Sequence, residues 1–276
     1  MNNPVNLFAK IVRFFRARSE ADSPQASDPI YKALVAAHEC LMANDIAGTE
    51  SLARQALNDA QPDSSRHLIE YALELLNYLW MTNEMNQKGI EFFSEFLERH
   101  PDDAIALHYR GIHLWYAGRP EDAIADYDRS LDLMPSNAFT LMGRGQILVE
   151  LGRPRDAVRD LENALQIINA LPNARDKNWS PMQAYTRNGL GTASAAMGDF
   201  AKAFDEFALS IDLQPNNAWV YFNRAQAHDK NHDYPKALLD YKKSLVSAEP
   251  KLPAYKRNLA ESRMKELSAV GFGEEA

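Results

Sequence analysis

The sequence predicts an all-α fold: a right-handed superhelical solenoid of about six helix-turn-helix hairpins, with a C-terminal capping helix and a separate N-terminal amphipathic helix. Three observations predict it. Residues 107–137, "LHYRGIHLWYAGRPEDAIADYDRSLDLMPSN", hold two helix-length runs around the interruption "AGRP". In the first run Leu107, Leu114 and Trp115 recur at helical spacing. Pro120, Glu121 and Asp122 open the second in the manner of a helical first turn, and Pro135 ends it. Finally, the unit recurs with a period of 34 residues, and one hairpin alone cannot bury its apolar seam.

The elements follow in chain order. Residues 1–18 read as a basic amphipathic helix started by Pro4. On a 100° wheel Val5, Leu7, Phe8, Ile11, Val12, Phe14 and Phe15 fill one half, opposite Asn6, Lys10, Arg13 and Arg16. Phe8, Ile11, Phe14 and Phe15 are its candidate membrane or helix contacts. Three readings stay open: an interfacial membrane helix, a helix packed on the repeats, and an organellar presequence. A secretory signal is disfavoured because the apolar run is interrupted. Residues 19–29, "SEADSPQASDP", are a polar, proline-punctuated linker.

The repeats occupy residues 30–251. Units 30–69 and 70–103 are degenerate, the second with Asn77 where a small residue is expected. Unit 104–137 carries Gly111, Gly118, Ala123, Tyr127 and Pro135. Unit 138–171 answers with Gly145, Gly152, Ala157 and Leu161, without the proline. A twelve-residue insertion, 172–183, follows; its Trp179 serves either specificity or a hydrophobic staple, with Ser180 expected as N-cap. Unit 184–217 has Gly191, Gly198, Ala203, Phe207 and Pro215, and unit 218–251 has Ala225, His232, Ala237, Tyr241 and a proline displaced to Pro250. Residues 252–268 form a polar capping helix and 269–276 a tail.

This pattern of small and large residues resembles the tetratricopeptide repeat (TPR) family, which implies a non-enzymatic protein-binding scaffold whose first helices line a concave groove. In each unit the fourth, eighth and eleventh residues make the seam toward the second helix. The second, fifth, ninth and twelfth lie on the other side and form the stripe expected to bind. The groove candidates are Tyr71, Tyr78, Ile105, His108, Ile112, Phe139, Met142, Gln146, Tyr185, Asn188, Trp219, Phe222 and Gln226; Tyr31, Leu34, Glu74, His38 and Thr192 complete its second, fifth and ninth positions. Five of its six second positions are aromatic, which suits an apolar or aromatic peptide segment. The fifth positions carry no lysine or arginine, unlike the carboxylate clamp of chaperone-binding TPR proteins. Any single aromatic can equally pack against its neighbouring unit.

Arg110, Arg144 and Arg224 recur sixteen residues before Asp126, Asp160 and Asp240, as expected of an ion pair stapling two helices. The 184 unit keeps Glu206 but has Leu190 in place of the arginine. No phosphate-binding glycine loop, zinc motif or nucleophile elbow occurs, so neither enzyme activity nor a cofactor or metal is expected. His228 and His232 are read as a solvated pair. The lone Cys40 is read as a small packed residue in a reducing compartment.

The net charge is −8, and the four cations of residues 1–19 leave −12 on the remainder, an acidic body unsuited to general nucleic-acid binding. The expected partner is a protein or peptide. The expected location is cytoplasmic, with peripheral membrane contact through residues 1–18. The alternative is a chaperone-like TPR protein shielding a helix of a secreted or membrane client, a role that type III secretion chaperones resemble on a shorter stack.

Overall fold

The computed structural model describes residues 28–60, 66–171, 179–247, 252–270 and 272. The expected N-terminal helix, with Phe8, Ile11, Phe14 and Phe15, lies outside the described residues, as do residues 19–27 of the linker and 172–178 of the insertion. Among the described residues there are thirteen helices and no strand. The all-α helical-repeat fold expected from the sequence is what forms. The chain divides into two compact units, one ending at Pro135 and the other beginning at Ser136.

The first unit holds three hairpins: α1 (Pro29–Met42) with α2 (Ile46–Asn58), α3 (Arg66–Thr82) with α4 (Asn86–Arg99), and α5 (Ala104–Tyr116) with α6 (Pro120–Leu133). Each second helix packs on the first helix of the next hairpin, and α1, α3 and α5 neighbour one another in a layer. The core lies between the layers. Trp80, Phe93, Leu73, Leu75 and Leu76 are wholly buried there. The guanidinium of Arg54 lies over Phe92 at 4.6 Å and over Trp80 at 5.4 Å.

The second unit repeats the scheme with α7 (Ala138–Glu150) and α8 (Pro154–Asn169), α9 (Ser180–Ala196) and α10 (Phe200–Leu213), and α11 (Ala218–Lys230) and α12 (Tyr234–Val246). It closes with α13 (Ala254–Ala269), packed on α12. The bidentate pair Arg263–Asp229 ties α13 to the end of α11, at 2.7 and 2.8 Å. Along α13 only Ala260 and Leu267 are buried. Its exposed side is mostly polar, with Tyr255 and Leu259 the large exceptions, which lets a stack of repeats end in water.

Local rules account for the ends of the helices. Asp103, Asn137 and Asn217 each precede a first helix and accept hydrogen bonds from its opening N–H groups. Pro120 and Pro154 start second helices, where a missing N–H costs nothing. Helix α3 begins at Arg66, four residues before the repeat boundary read from the sequence. There Arg66 pairs with both oxygens of Asp103, at 2.8 and 3.1 Å, and with Glu70. Helix α9 likewise begins early and buries Met182. Ser180 is its first helical residue and not its N-cap; Trp179 holds the cap position without a side-chain cap bond, its carbonyl accepting from Met182 and Gln183.

Every hairpin turn needs one residue in the left-handed region. Gly118, Gly152 and Gly198 supply it at φ 77°, 71° and 83°. Asn44, Glu84 and His232 take the same place in the other three hairpins, at φ 58°, 57° and 60°. A Cβ at those turn glycines would meet nothing within 4 Å, so the cost of a side chain there is backbone strain alone, about 1–2 kcal/mol. The crossing glycines differ. A Cβ on Gly111 would lie 2.6 Å from the Tyr127 ring, and one on Gly191 2.7 Å from Phe207. Those rings fill the hairpin gap only because the facing backbone has no side chain.

The recurrent arginines are staples, as expected. Arg110, Arg144 and Arg224 hold both oxygens of Asp126, Asp160 and Asp240 at 2.6–2.8 Å, and the three carboxylates are buried. In the hairpin that lacks the arginine, Arg187 reaches Glu206 at 2.8 Å from one helical turn earlier. A further pair of bonds went unread in the sequence. Ser130 and Ser210 donate across their hairpins to the carbonyls of Ala104 and Ala184, at 2.8 and 2.7 Å.

Candidate functional site

In the first unit the stripe runs over α1, α3 and α5. Leu34, Tyr71 and His108 are buried, whereas Tyr31, His38, Glu74, Tyr78, Ile105 and Ile112 are half-buried. His108 stacks near Tyr127, ring centroids 5.7 Å apart, and lies 5.3 Å from Tyr109. Tyr71 and Tyr109 are pushed well above the usual phenol range, first by burial and then by the Glu74 carboxylate. Both stay protonated at any physiological pH. In this unit Leu34, Tyr71 and His108 serve packing, and the accessible part of the stripe is made by Tyr31, Glu74 and Ile105 with the ninth positions His38, Tyr78 and Ile112.

In the second unit α7, α9 and α11 carry Phe139, Met142 and Gln146, then Tyr185, Asn188 and Thr192, then Trp219, Phe222 and Gln226. Phe139 and Tyr185 are each 39% exposed, a large fraction for aromatic rings on a packed helix layer. Met142 and Asn188 are buried, and Asn188 accepts a hydrogen bond from Asn223 at 3.1 Å. Gln146 buries an amide nitrogen that lacks a hydrogen-bond partner among the described residues. A Cβ on Gly189 would stand 2.5 Å from that nitrogen, so α7 and α9 approach closely here.

Phe222 is wholly buried and Trp219 half-buried, because α13 covers them. The ammonium of Lys256 lies 4.9 Å from the Trp219 centroid, 4.8 Å from Phe222 and 5.8 Å from Tyr255. Desolvation draws the Lys256 pKa below the usual lysine range, and the field of Glu150 works against that shift. Reading residues 252–268 only as a cap missed Lys256 and Tyr255; the available signal was an aromatic beside a cation, "YK", in the first turn of the helix.

The histidine pair is not a pair. His228 is buried and stacks on Phe204 with centroids 4.1 Å apart. Its two ring nitrogens lie 3.8 Å from carboxylate oxygens of Asp233 and Asp240. Burial lowers its pKa, opposed by those two acids. His232 is exposed in the turn, its Nδ1 2.9 Å from the Tyr234 hydroxyl. Only His232 is solvated as the sequence suggested, since a seam position buries whatever side chain stands in it. Cys40 is half-buried, and its thiol is held protonated by desolvation and by the neighbouring Asp45 carboxylate.

The stripe therefore offers rings, amides and apolar side chains of fixed geometry. It presents contact area and hydrogen-bonding edges, the materials of recognition.

A tetratricopeptide repeat model matches residues 104–137, and a second matches residues 207–238. No curated protein matches the chain by sequence. Among solved structures, a tetratricopeptide repeat protein from Parabacteroides merdae ATCC 43184 is 17% identical, with 88% of this chain and 100% of that chain covered and a TM-score of 0.51. The APC/C hetero-tetramer Cut9-Hcn1 gives a TM-score of 0.68 at 16% identity, over 95% of this chain and 46% of that one. MamA from Desulfovibrio magneticus RS-1 gives 0.50 at 16% identity, over 64% and 93%. At such identities the likeness is one of fold. Residues 104–137 and 207–238 thus match tetratricopeptide repeats by sequence, and the fold of the described residues is the all-α helical-repeat fold of tetratricopeptide repeat proteins.

Proposed function

We propose that the chain is a non-enzymatic interaction scaffold that binds an apolar or aromatic peptide segment of a partner protein on the first-helix stripe of its second unit. The observation that carries this reading is the pair Phe139 and Tyr185. Each ring is 39% exposed, on neighbouring helices whose hairpins are locked by ion pairs, Arg144 with the buried carboxylate of Asp160 and Arg187 with the half-buried Glu206. Rigid rings on a rigid backbone offer contact area at low entropic cost. Tyr185→Ala is expected to weaken a purified partner's binding by about 2 kcal/mol, roughly thirtyfold, while circular dichroism stays helical. The partner is first captured on the wild-type full chain and then titrated by calorimetry as a purified pair. Equal affinity in the folded variant would place the site elsewhere.

We infer further that residues 1–18 bring this scaffold to an anionic membrane surface. The support is compositional: Phe8, Ile11, Phe14 and Phe15 on one half of the wheel, with four cations and no acid. Among the described residues no helix is long and apolar enough to cross a membrane. The full chain is expected to float with anionic liposomes at low salt and to be released at high salt, and a chain lacking residues 1–18 is expected not to float. Flotation of both chains alike would remove the membrane role from this segment.

A further inference from the structure

We propose that Lys256 is the group through which the second unit recognises a carboxylate on its peptide ligand. This rests on the stripe of α7, α9 and α11 being the binding face, and deepens that reading by naming the charge the ligand must carry.

Lys256 is held in an unusual way for a lysine. Its ammonium is half-buried over the rings of Trp219, Phe222 and Tyr255, and among the described residues no oxygen lies within hydrogen-bond or ion-pair distance of it. Three other lysines of the chain have a carboxylate partner instead. Lys88 pairs with Glu50, Lys202 with Glu162 and Lys236 with Asp233, at 2.7–2.9 Å. On the same helix Arg263 takes both oxygens of Asp229. Ring faces attract a cation but do not replace the oxygen acceptors that three N–H donors had in water. The lowered pKa reports that deficit, and Glu150 offsets it only through its field.

The place is as informative as the deficit. Trp219 and Phe222 are the second and fifth positions of the α11 stripe, so the ammonium stands on the stripe itself. The other second, fifth and ninth positions of this unit, Phe139, Met142, Gln146, Tyr185, Asn188, Thr192 and Gln226, carry no charge, and the acid at the twelfth, Asp229, is held by Arg263. A ligand lying along them meets one cation, on a site already desolvated by aromatic rings and adjoining Tyr255, which is 67% exposed. An oxygen anion delivered there gains a charge-assisted hydrogen bond where water competes weakly. A carboxylate fits better than a phosphate. There is a single donor group without an arginine fork, and Glu150 is close enough to act on Lys256 and would repel a dianion. A cationic ligand is excluded from the rings by Lys256 itself. The carboxylate is either an Asp or Glu side chain or the C-terminus of the peptide.

The test selects 12-residue peptides with free C-termini from a random library on the full chain, keeping those whose binding falls in Tyr185→Ala. Each kept peptide is made as selected, with its acids changed to amides, and with an amidated C-terminus. Affinities are read by fluorescence polarisation on the wild type, Lys256→Met and Lys256→Arg. Neutralising one of the two carboxylate sources is expected to weaken binding to the wild type tenfold or more. The same change should cost less than twofold on Lys256→Met, with Lys256→Arg restoring most of the loss; the arm that responds identifies the source. Without any variant, the Lys256 titration followed by its 13Cε shift is expected to move to higher pH on binding the acid-bearing peptide. Equal losses on the wild type and Lys256→Met, or peptides indifferent to both neutralisations, would overturn the proposal while leaving the aromatic stripe standing. Recovery of no Tyr185-dependent peptide would overturn the stripe and the proposal together.

Discussion

Arg224→Met is expected to destabilise the second unit by about 3 kcal/mol, at the low end of the cost of removing one partner from a buried ion pair. Arg224 holds both oxygens of Asp240 at 2.7 and 2.8 Å, and Asp240 is 3% exposed. Methionine keeps the apolar stem and deletes only the guanidinium. The carboxylate then remains inside the hairpin without its guanidinium, the His228 ring 3.8 Å away. The double variant Arg224→Met, Asp240→Leu should recover most of the loss, because it leaves no uncompensated charge. Urea unfolding of the full chain, with hydrogen exchange across α11 and α12 to locate the effect, reads both. Peptide affinity of the folded fraction should not move. A variant that keeps its unfolding midpoint but loses its ligand would make Arg224 a contact residue and not a staple.

Much of this was legible before any coordinates. A staple needs two residue types sixteen apart, and a turn favours glycine at one fixed place, so a period of 34 exposes both. Where one part changed without its partner, the period went silent. Glu206 kept its place while its arginine moved to Arg187, three residues from where the repeat would put it. Glu84 and Asn44 stand at turn positions where glycine would have been recognised. The stripe was legible as a direction on the helix, but the exposure of its members was not. Leu34, His108, Met142, Asn188 and Phe222 share one register position and are all buried, whereas Phe139 and Tyr185, three residues earlier in their units, reach solvent. Phe222 and Trp219 are covered by α13, a helix outside the repeat spacing, so no periodicity in the sequence placed Lys256 over them. Spacing encodes what each helix presents; tertiary neighbours decide what stays uncovered.

The first unit is expected to lose about 3 kcal/mol of stability as pH falls from 6.5 to 4, through His113 alone. This imidazole is wholly buried in α5, ring centroids 5.8 Å from Phe93 and 6.3 Å from Trp80. Its Nδ1 lies 3.2 Å from Asn86 Oδ1, which as acceptor places the proton of the neutral ring there, and its Nε2 has no hydrogen-bond partner among the described residues. Desolvation holds its pKa down to about 4, from 6.5. Above pH 6.5 both folded and unfolded chains carry it neutral and the fold has its full stability. As pH falls through 6.5 the unfolded chain binds a proton that the folded chain refuses until about pH 4, and each unit of that gap costs about 1.4 kcal/mol. Below pH 4 both states are protonated and the loss stops growing. Other groups titrate over the same range, so the quantity to measure is the stability of the wild type minus that of His113→Leu, by urea unfolding from pH 7 to pH 4. NMR titration of the His113 ring reads its pKa directly in the folded wild type. A difference independent of pH, with the ring titrating near 6.5, would mean that Asn86 and the surrounding rings hold an imidazolium as readily as water does, and that this core is wetter than its packing indicates.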